Sequence, residues 1–195
     1  MSHLHLIVFI GAVLFGLAGC SATPRPEGKP LPDMTFQHMP PFPVRVDQVE
    51  IVNRYDPDRD PADFSSRFPT PPDIALRRYA ETRLQAAGEG GTFFFVIEEA
   101  KVTETVLSPA SPFLRWMGAA ADKDRYDVLM TLRLYQRFPD GAETPHAVLT
   151  FEKSLTIPRS RSLADREQEQ FAFLELMMQD VDQVVTATIR DNLLL

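Results

Sequence analysis

One thiol exists in the whole chain, at Cys20, at the end of the run FGLAGC. Sulfur is the most nucleophilic side-chain atom available, so a lone cysteine behind small residues is placed for alkylation rather than for a disulfide. A second candidate chemistry lies in Asp56, Asp58 and Asp60, with Asp63 just after them. Alternating aspartates resemble the opening of a calcium loop, but an EF-hand needs glycine at its sixth position and a bidentate glutamate at its twelfth. Those positions hold Pro61 and Arg67, so the stretch reads either as a solvated acidic turn or as a loose calcium site. The chain has no H-E-x-x-H, no phosphate loop and no G-x-S-x-G elbow. Gly88-Glu89-Gly90-Gly91 precedes a strand rather than opening a helix, and reads as a turn. Of the histidines only His38 and His146 lie beyond the first twenty residues, neither with an evident acid or nucleophile partner in sequence. Carboxylate acid-base chemistry between converging members of the 27 acids stays open as an alternative to a non-catalytic protein.

The setting of Cys20 explains its presence. From Leu6 to Ala18 the chain is apolar apart from Gly11 and Gly16. A helix of that length rises roughly 20 Å, short of the roughly 30 Å hydrocarbon core. An apolar run followed by small residues matches an export signal that is cut away. Leu17-Ala18-Gly19-Cys20 resembles the lipobox of bacterial lipoproteins at all four positions. That resemblance implies cleavage before Cys20, a diacylglyceryl group on its sulfur and an N-acyl chain on the new amino terminus. Several acyl chains on one residue make a stable anchor where a single chain is marginal. Ser21, being other than Asp, implies by the same resemblance export to the periplasmic face of the outer membrane, with the inner membrane's periplasmic face as the alternative.

None of residues 1–19 is Asp, Glu, Lys or Arg, so the net charge of −7 belongs to the remainder. With a pI near 5.1, the chain's net field attracts neither nucleic acid nor an anionic bilayer. Contact with a membrane is therefore expected through lipid. The predicted organisation is a signal peptide over 1–19, an acylated cysteine and tether over 20–43, and one domain over 44–195. The tether carries seven prolines between Ser21 and Pro43, which favours extended polyproline geometry. Its last part, with Phe36, Met39 and Phe42, is equally suited to lie along the domain.

The elements that must position any site follow from periodicity. Val44–Tyr55 is rich in β-branched residues and predicts a first strand. Thr70, Pro71, Pro72 and Asp73 predict a capped helix from about Pro71 to Ala87, stopped by Gly88. Thr92–Val106 predicts a strand covered on both faces in its first half, where Phe93, Phe95 and Ile97 point one way and Phe94 and Val96 the other. Arg125–Phe138 alternates apolar and polar residues and predicts a strand with one core face. Pro139-Asp140-Gly141 turns into a fourth strand over Pro145–Ile157. Ser162 and Asp165 open a long helix over Leu163–Asn192, with an apolar stripe through Phe171, Leu174, Met178, Val181, Val185 and Ile189. The order strand-helix-strand-strand-strand-helix predicts an α+β fold: two layers, a four-stranded largely antiparallel sheet with both helices on one face.

One connection breaks the pattern. Ser108–Lys123 joins two strands through about sixteen residues where a hairpin needs two to five, and it carries Phe113, Leu114, Arg115, Trp116 and Met117. Either this excursion docks a partner protein or lipid, or it folds back to cap an open end of the sheet. A lipobox, a proline-rich tether and a small strand-helix-meander-helix domain together resemble accessory lipoproteins of the Gram-negative envelope: the lipopolysaccharide-assembly, ABC-transport auxiliary and penicillin-binding-protein activator types. The resemblance implies a non-catalytic adaptor without a cofactor, held to the membrane by lipid and bound to another envelope protein. A lipid-carrying module and a carboxylate-dependent wall enzyme are the alternatives.

Overall fold

The computed structural model describes residues 31–108, 113, 116 and 122–192. Its main sheet has four strands: β2 (Gln48–Asn53), β4 (Thr92–Leu107), β5 (Lys123–Arg137) and β6 (Ala147–Pro158), in the order β2-β4-β5-β6. β2 runs parallel to β4, and the other neighbours are antiparallel. Two helices, α1 (Pro72–Arg83) and α2 (Leu163–Asn192), pack against it. The fold is α+β, a mixed and mostly antiparallel four-stranded sheet carrying two helices.

The helix-side face of the sheet is the core. Phe93, Phe95 and Ile97 of β4 lie beside Tyr126, Val128, Met130, Leu132 and Leu134 of β5, all buried. Residues two apart on a strand share a face, so this in-phase apolar run needs a cover. α2 supplies it with Leu174, Met177, Met178, Val181, Val185 and Ile189, and α1 with Leu76, Tyr79 and Ala80. Ser162 caps α2 as its sequence predicts, its Oγ accepting from the Asp165 amide at 3.1 Å. On the opposite face Phe94, Val96 and Tyr135 are buried as a separate small cluster, which accounts for the continuous apolar first half of β4.

Three boundaries differ from the periodicity. The strand expected over 44–55 is two: β1 (Phe42–Val44) and β2, with Arg45–Asp47 between them. Phe42, Val44 and Val46 keep one parity and all enter the core while the backbone changes partner. β1 pairs in parallel with β3 (Leu84–Ala86), and β2 with β4. The helix expected to reach Ala87 therefore ends at Arg83, because Leu84–Ala86 extends to bind β1. Tertiary pairing has overridden helix propensity there. At the helix start Pro71 occupies the cap position without a side-chain hydrogen bond, and Asp73 instead accepts from Asn53 Nδ2 at 3.1 Å. The chain is in the core well before the first strand, with Met34 and Phe36 buried and Phe36 edge-on to Tyr79.

The turn into β4 depends on glycine at one place. Gly91 has φ +85, and a Cβ there would lie 2.5 Å from the Arg137 carbonyl oxygen. The close approach of the 88–91 turn to the far end of β5 leaves no room for a side chain.

Candidate functional site

β4 and β5 stay paired to their ends, from Thr92 opposite Arg137 to Leu107 opposite Lys123, with one bulge between Ile97 and Glu99. The excursion leaves from this end. Within it Phe113 is 61% and Trp116 82% exposed, their ring centroids 6.1 Å apart. Val106 and Leu107 beside it, and Leu163 at the start of α2, are exposed apolar side chains too. Leu114, Arg115 and Met117, expected to act with Phe113 and Trp116, lie outside the described residues. So does Cys20.

The base of the excursion is held by a buried charge. Asp124 is on β5 in phase with Tyr126 and Val128, so its carboxylate faces the helix layer. Arg159, from the β6–α2 connection, donates through Nε to Asp124 Oδ1 at 2.7 Å. Arg166, in the first turns of α2, donates through Nη2 to Asp124 Oδ2 at 2.7 Å and to the Tyr126 hydroxyl at 2.6 Å. The Arg159 amide also donates to the Asp122 carbonyl at 2.9 Å. Burial pushes the Tyr126 phenol above its ordinary value, against the Arg166 hydrogen bond that pulls it down. The cluster ties β5, the β6–α2 connection and α2 together beneath the excursion. Sequence reasoning passed over it, because Asp124 stands one residue before the alternating stretch Arg125–Phe138, although at the parity of its core face. A carboxylate in phase with a core face is a signal for a buried partner cation.

The aspartate loop is fastened rather than open. Asp56 accepts from the Asp58 amide at 3.1 Å. Asp60 accepts from the Ala62 amide at 2.9 Å and from Lys101 Nζ at 2.6 Å. That lysine bond, ahead of the amide, holds Asp60 below the usual carboxylate range. Asp63 is buried, accepts from the Ser65 amide at 2.8 Å, and receives the Tyr55 hydroxyl. Burial, then the Asp63 bond, raises the Tyr55 phenol well above its ordinary value. The Phe64 amide donates to the Val102 carbonyl at 2.7 Å, closing the loop onto β4. Among the described residues no three metal-ligating side chains are grouped as a cation site. A depression of about 180 Å³ beside the loop is lined by Arg54, Asp60, Glu98 and Lys101 among others. Another, of about 270 Å³, is lined by Arg161, Asp165, Gln168, Glu169 and Ala172. Both are lined by charged groups.

No family model matches the chain, and no curated protein does. Among the solved structures it is similar to are two lipoproteins. One is a minor lipoprotein from Acinetobacter baumannii, 15% identical, spanning 77% of this chain and 92% of that one at a TM-score of 0.37. The other is rare lipoprotein B from Shewanella oneidensis, 12% identical, spanning 73% and 93% at a TM-score of 0.36.

The remaining titratable group singled out by sequence, His146, belongs to the sheet face away from the helices. Its ring stacks on Tyr135 at 4.2 Å, and Tyr135 stacks on Phe94 at 4.7 Å. The Arg137 guanidinium lies 4.7 Å above Phe94. Glu143 joins the two ends, 2.9 Å from His146 Nε2 and 2.9 Å from the Arg137 guanidinium. The His146 bond, then the Arg137 bond, holds Glu143 below its ordinary value. The group thus roofs the apolar patch of Phe94 and Val96, a cation–aromatic cover where no helix lies. Among the described residues, no helix is long and apolar enough to cross a membrane.

Proposed function

We propose that this chain is a lipid-anchored adaptor of the cell envelope, moored through acyl groups on Cys20 and engaging another envelope protein through the 108–123 excursion. The observation that carries the reading is the pair Phe113 and Trp116, both mostly exposed, with their rings in contact at a strand end. Large aromatic side chains presented together to solvent are the residues that dominate protein contacts. The Asp124 cluster supports it, because it fixes the base from which those rings project. In the aspartate loop, by contrast, Asp60 and Asp63 accept hydrogen bonds from β4. Ser21 after Cys20 favours the outer membrane's periplasmic face as the location.

A photo-crosslinking side chain placed at position 116 in the full-length chain tests the adaptor role in living cells. The expected result is one dominant crosslinked envelope protein, lost when Phe113 is replaced by Ser, with the melting temperature unchanged. A Cys20→Ser chain, expected to lose acylation and membrane association, separates anchoring from docking. No specific crosslink from position 116, or a collapse of stability on replacing Phe113, makes the excursion a structural cap and overturns the proposal.

A further inference from the structure

β6 is the last strand of the sheet, and no described strand pairs with its outer edge. Alternate residues of this twelve-residue strand turn their backbone donors and acceptors to that side. Such an edge is a template for another strand unless it is short, bulged, capped by proline or repelled by unpaired charge. β6 is long, its proline stands only at its end, and its one inward cation, Lys153, is neutralised by an ion pair with Asp180 of α2.

That ion pair also shows which flank of α2 borders β6. Phe173, Leu176, Asp180 and Val184 are spaced i, i+3, i+7, i+11 and form one stripe. Leu176 is 57% and Val184 39% exposed, and Phe173 is half-buried. Leu176 and Val184 lie outside the stripe that packs on the sheet, on the side Asp180 shares with Lys153, and Phe173 borders the core there. Along β6 the matching inward residues Leu149, Phe151 and Leu155 are likewise only partly covered. The free edge and the apolar flank of α2 thus form one continuous strip.

We propose that this strip is an interface with a second copy of the same chain, the two β6 strands pairing antiparallel about Phe151 to give one sheet of eight strands. A two-fold contact needs a patch that complements itself. On its helix side this one does: it is apolar with one cation and one anion in an ion pair, while Glu152 stands on the other face and limits which registers can pair. In an antiparallel pair, opposed residues share a face, which restricts the register. Pairing about Glu152 sets that carboxylate against its own copy, and pairing about Lys153 does the same with an ammonium. Pairing about Phe151 instead puts Thr150 opposite Glu152 and Leu149 opposite Lys153, with no like charges opposed. Residues 147–155 then overlap, a strip about 30 Å long. With a depth of about 20 Å for sheet and helix together, it buries roughly 1,200 Å² in total, the lower end for a stable interface. The Leu176 and Val184 side chains of the two α2 helices face each other across the axis.

Sedimentation of the full-length chain in detergent tests this at about 10 µM, where a micromolar contact is mostly filled. The expected protein mass is that of two chains. Leu176→Lys and Val184→Lys, both at exposed positions, are expected to give one chain with an unchanged melting temperature. Amide hydrogen exchange along β6 locates the contact: alternate amides exchange slowly in the parent chain and fast in the Leu176→Lys variant. A single-chain mass for the parent overturns the proposal, and leaves the strip to some other strand. A two-chain mass that persists in both variants, or β6 amides that exchange alike in parent and variant, overturns it too. None of these outcomes depends on what the aromatic excursion binds.

Discussion

Replacing Asp124 by Ala removes the one buried carboxylate on which Arg159 and Arg166 converge. The two bonds are equal in length, 2.7 Å each, yet they do not contribute equally. Arg159 has nearly half of its side chain in solvent, so water replaces its lost partner and little is lost there. Arg166 is mostly covered and keeps only the Tyr126 hydroxyl and a glutamate, Glu104, at 4.0 Å. A hydrogen bond to a charged group that cannot be replaced by water is worth about 1.5–3 kcal/mol. The cost of the substitution is then about 1.5–3 kcal/mol, which for a domain of this size lowers the melting temperature by roughly 3–12 °C. Thermal unfolding by circular dichroism measures it.

The asymmetry is the sharper part. Double-mutant cycles pairing Asp124→Ala with Arg166→Met and with Arg159→Met isolate each contact. The expected coupling is about 1.5–3 kcal/mol for Arg166 and clearly smaller for Arg159. A coupling for Arg159 as large as that for Arg166 refutes the reasoning, because burial rather than bond length is claimed to set the energy. A cost for Asp124→Ala below about 0.5 kcal/mol refutes it as well, by the scale of ordinary surface changes.

Two further outcomes test other parts of the fold. Burial, then the Asp182 carboxylate, raises the Tyr79 phenol above its unfolded value of about 10. The folded chain then keeps a proton that the unfolded chain releases, so the contribution is intact below pH 10 and lost as pH rises beyond it. Tyr79 alone gives a slope of about −1.4 kcal/mol per pH unit above pH 10, read by denaturant titrations at stepped pH, and a flat stability there contradicts the burial. Gly91→Ala is expected to cost about 3 kcal/mol, strain and clash together, because its Cβ meets the Arg137 carbonyl. Gly90→Ala shares the positive φ but meets nothing nearer than 3.9 Å, and is expected to cost only about 1 kcal/mol in chemical denaturation.

The parts of the fold legible in the sequence are those whose packing partner runs along their whole length. β5 alternates because one face meets both helices, and α2 repeats by threes and fours because it lies along the sheet; both have the bounds their periodicity predicts to within two residues. Legibility fails where a short segment is claimed by a distant one. Leu84–Ala86 looks helical from its neighbours and is extended because Phe42–Val44 offers it backbone partners. Nothing local announces that offer, since three-residue strands carry too little pattern to separate from noise. At the candidate site the aromatic excursion stood out by its length and composition. Its buried anchor did not, because a single Asp at the head of a strand reads as a solvated end until the parity of Tyr126 and Val128 is carried back one step to position 124.

That parity argument says why the anchor and the exposed rings belong together. A hairpin whose strands stay paired to Leu107 and Lys123 projects its last residues past the cover of the helices, as the exposure of Val106 and Leu107 shows. Left alone such an end frays, because its hydrogen bonds are open to water and few apolar contacts hold it. Asp124 lies one residue inside that end, and the two arginines that grip it come from β6's exit and α2's entry, so fraying there would break the charged hydrogen bonds that hold it. The Phe113 and Trp116 side chains are therefore carried on a base that is costly to loosen. A rigid base lowers the ordering cost that any contact through them would incur, which is how preorganisation raises affinity without adding a single new contact. On this argument Asp124→Ala weakens capture from position 116 even where the chain remains folded, and capture at full strength from a folded Asp124→Ala chain would break the link between the two.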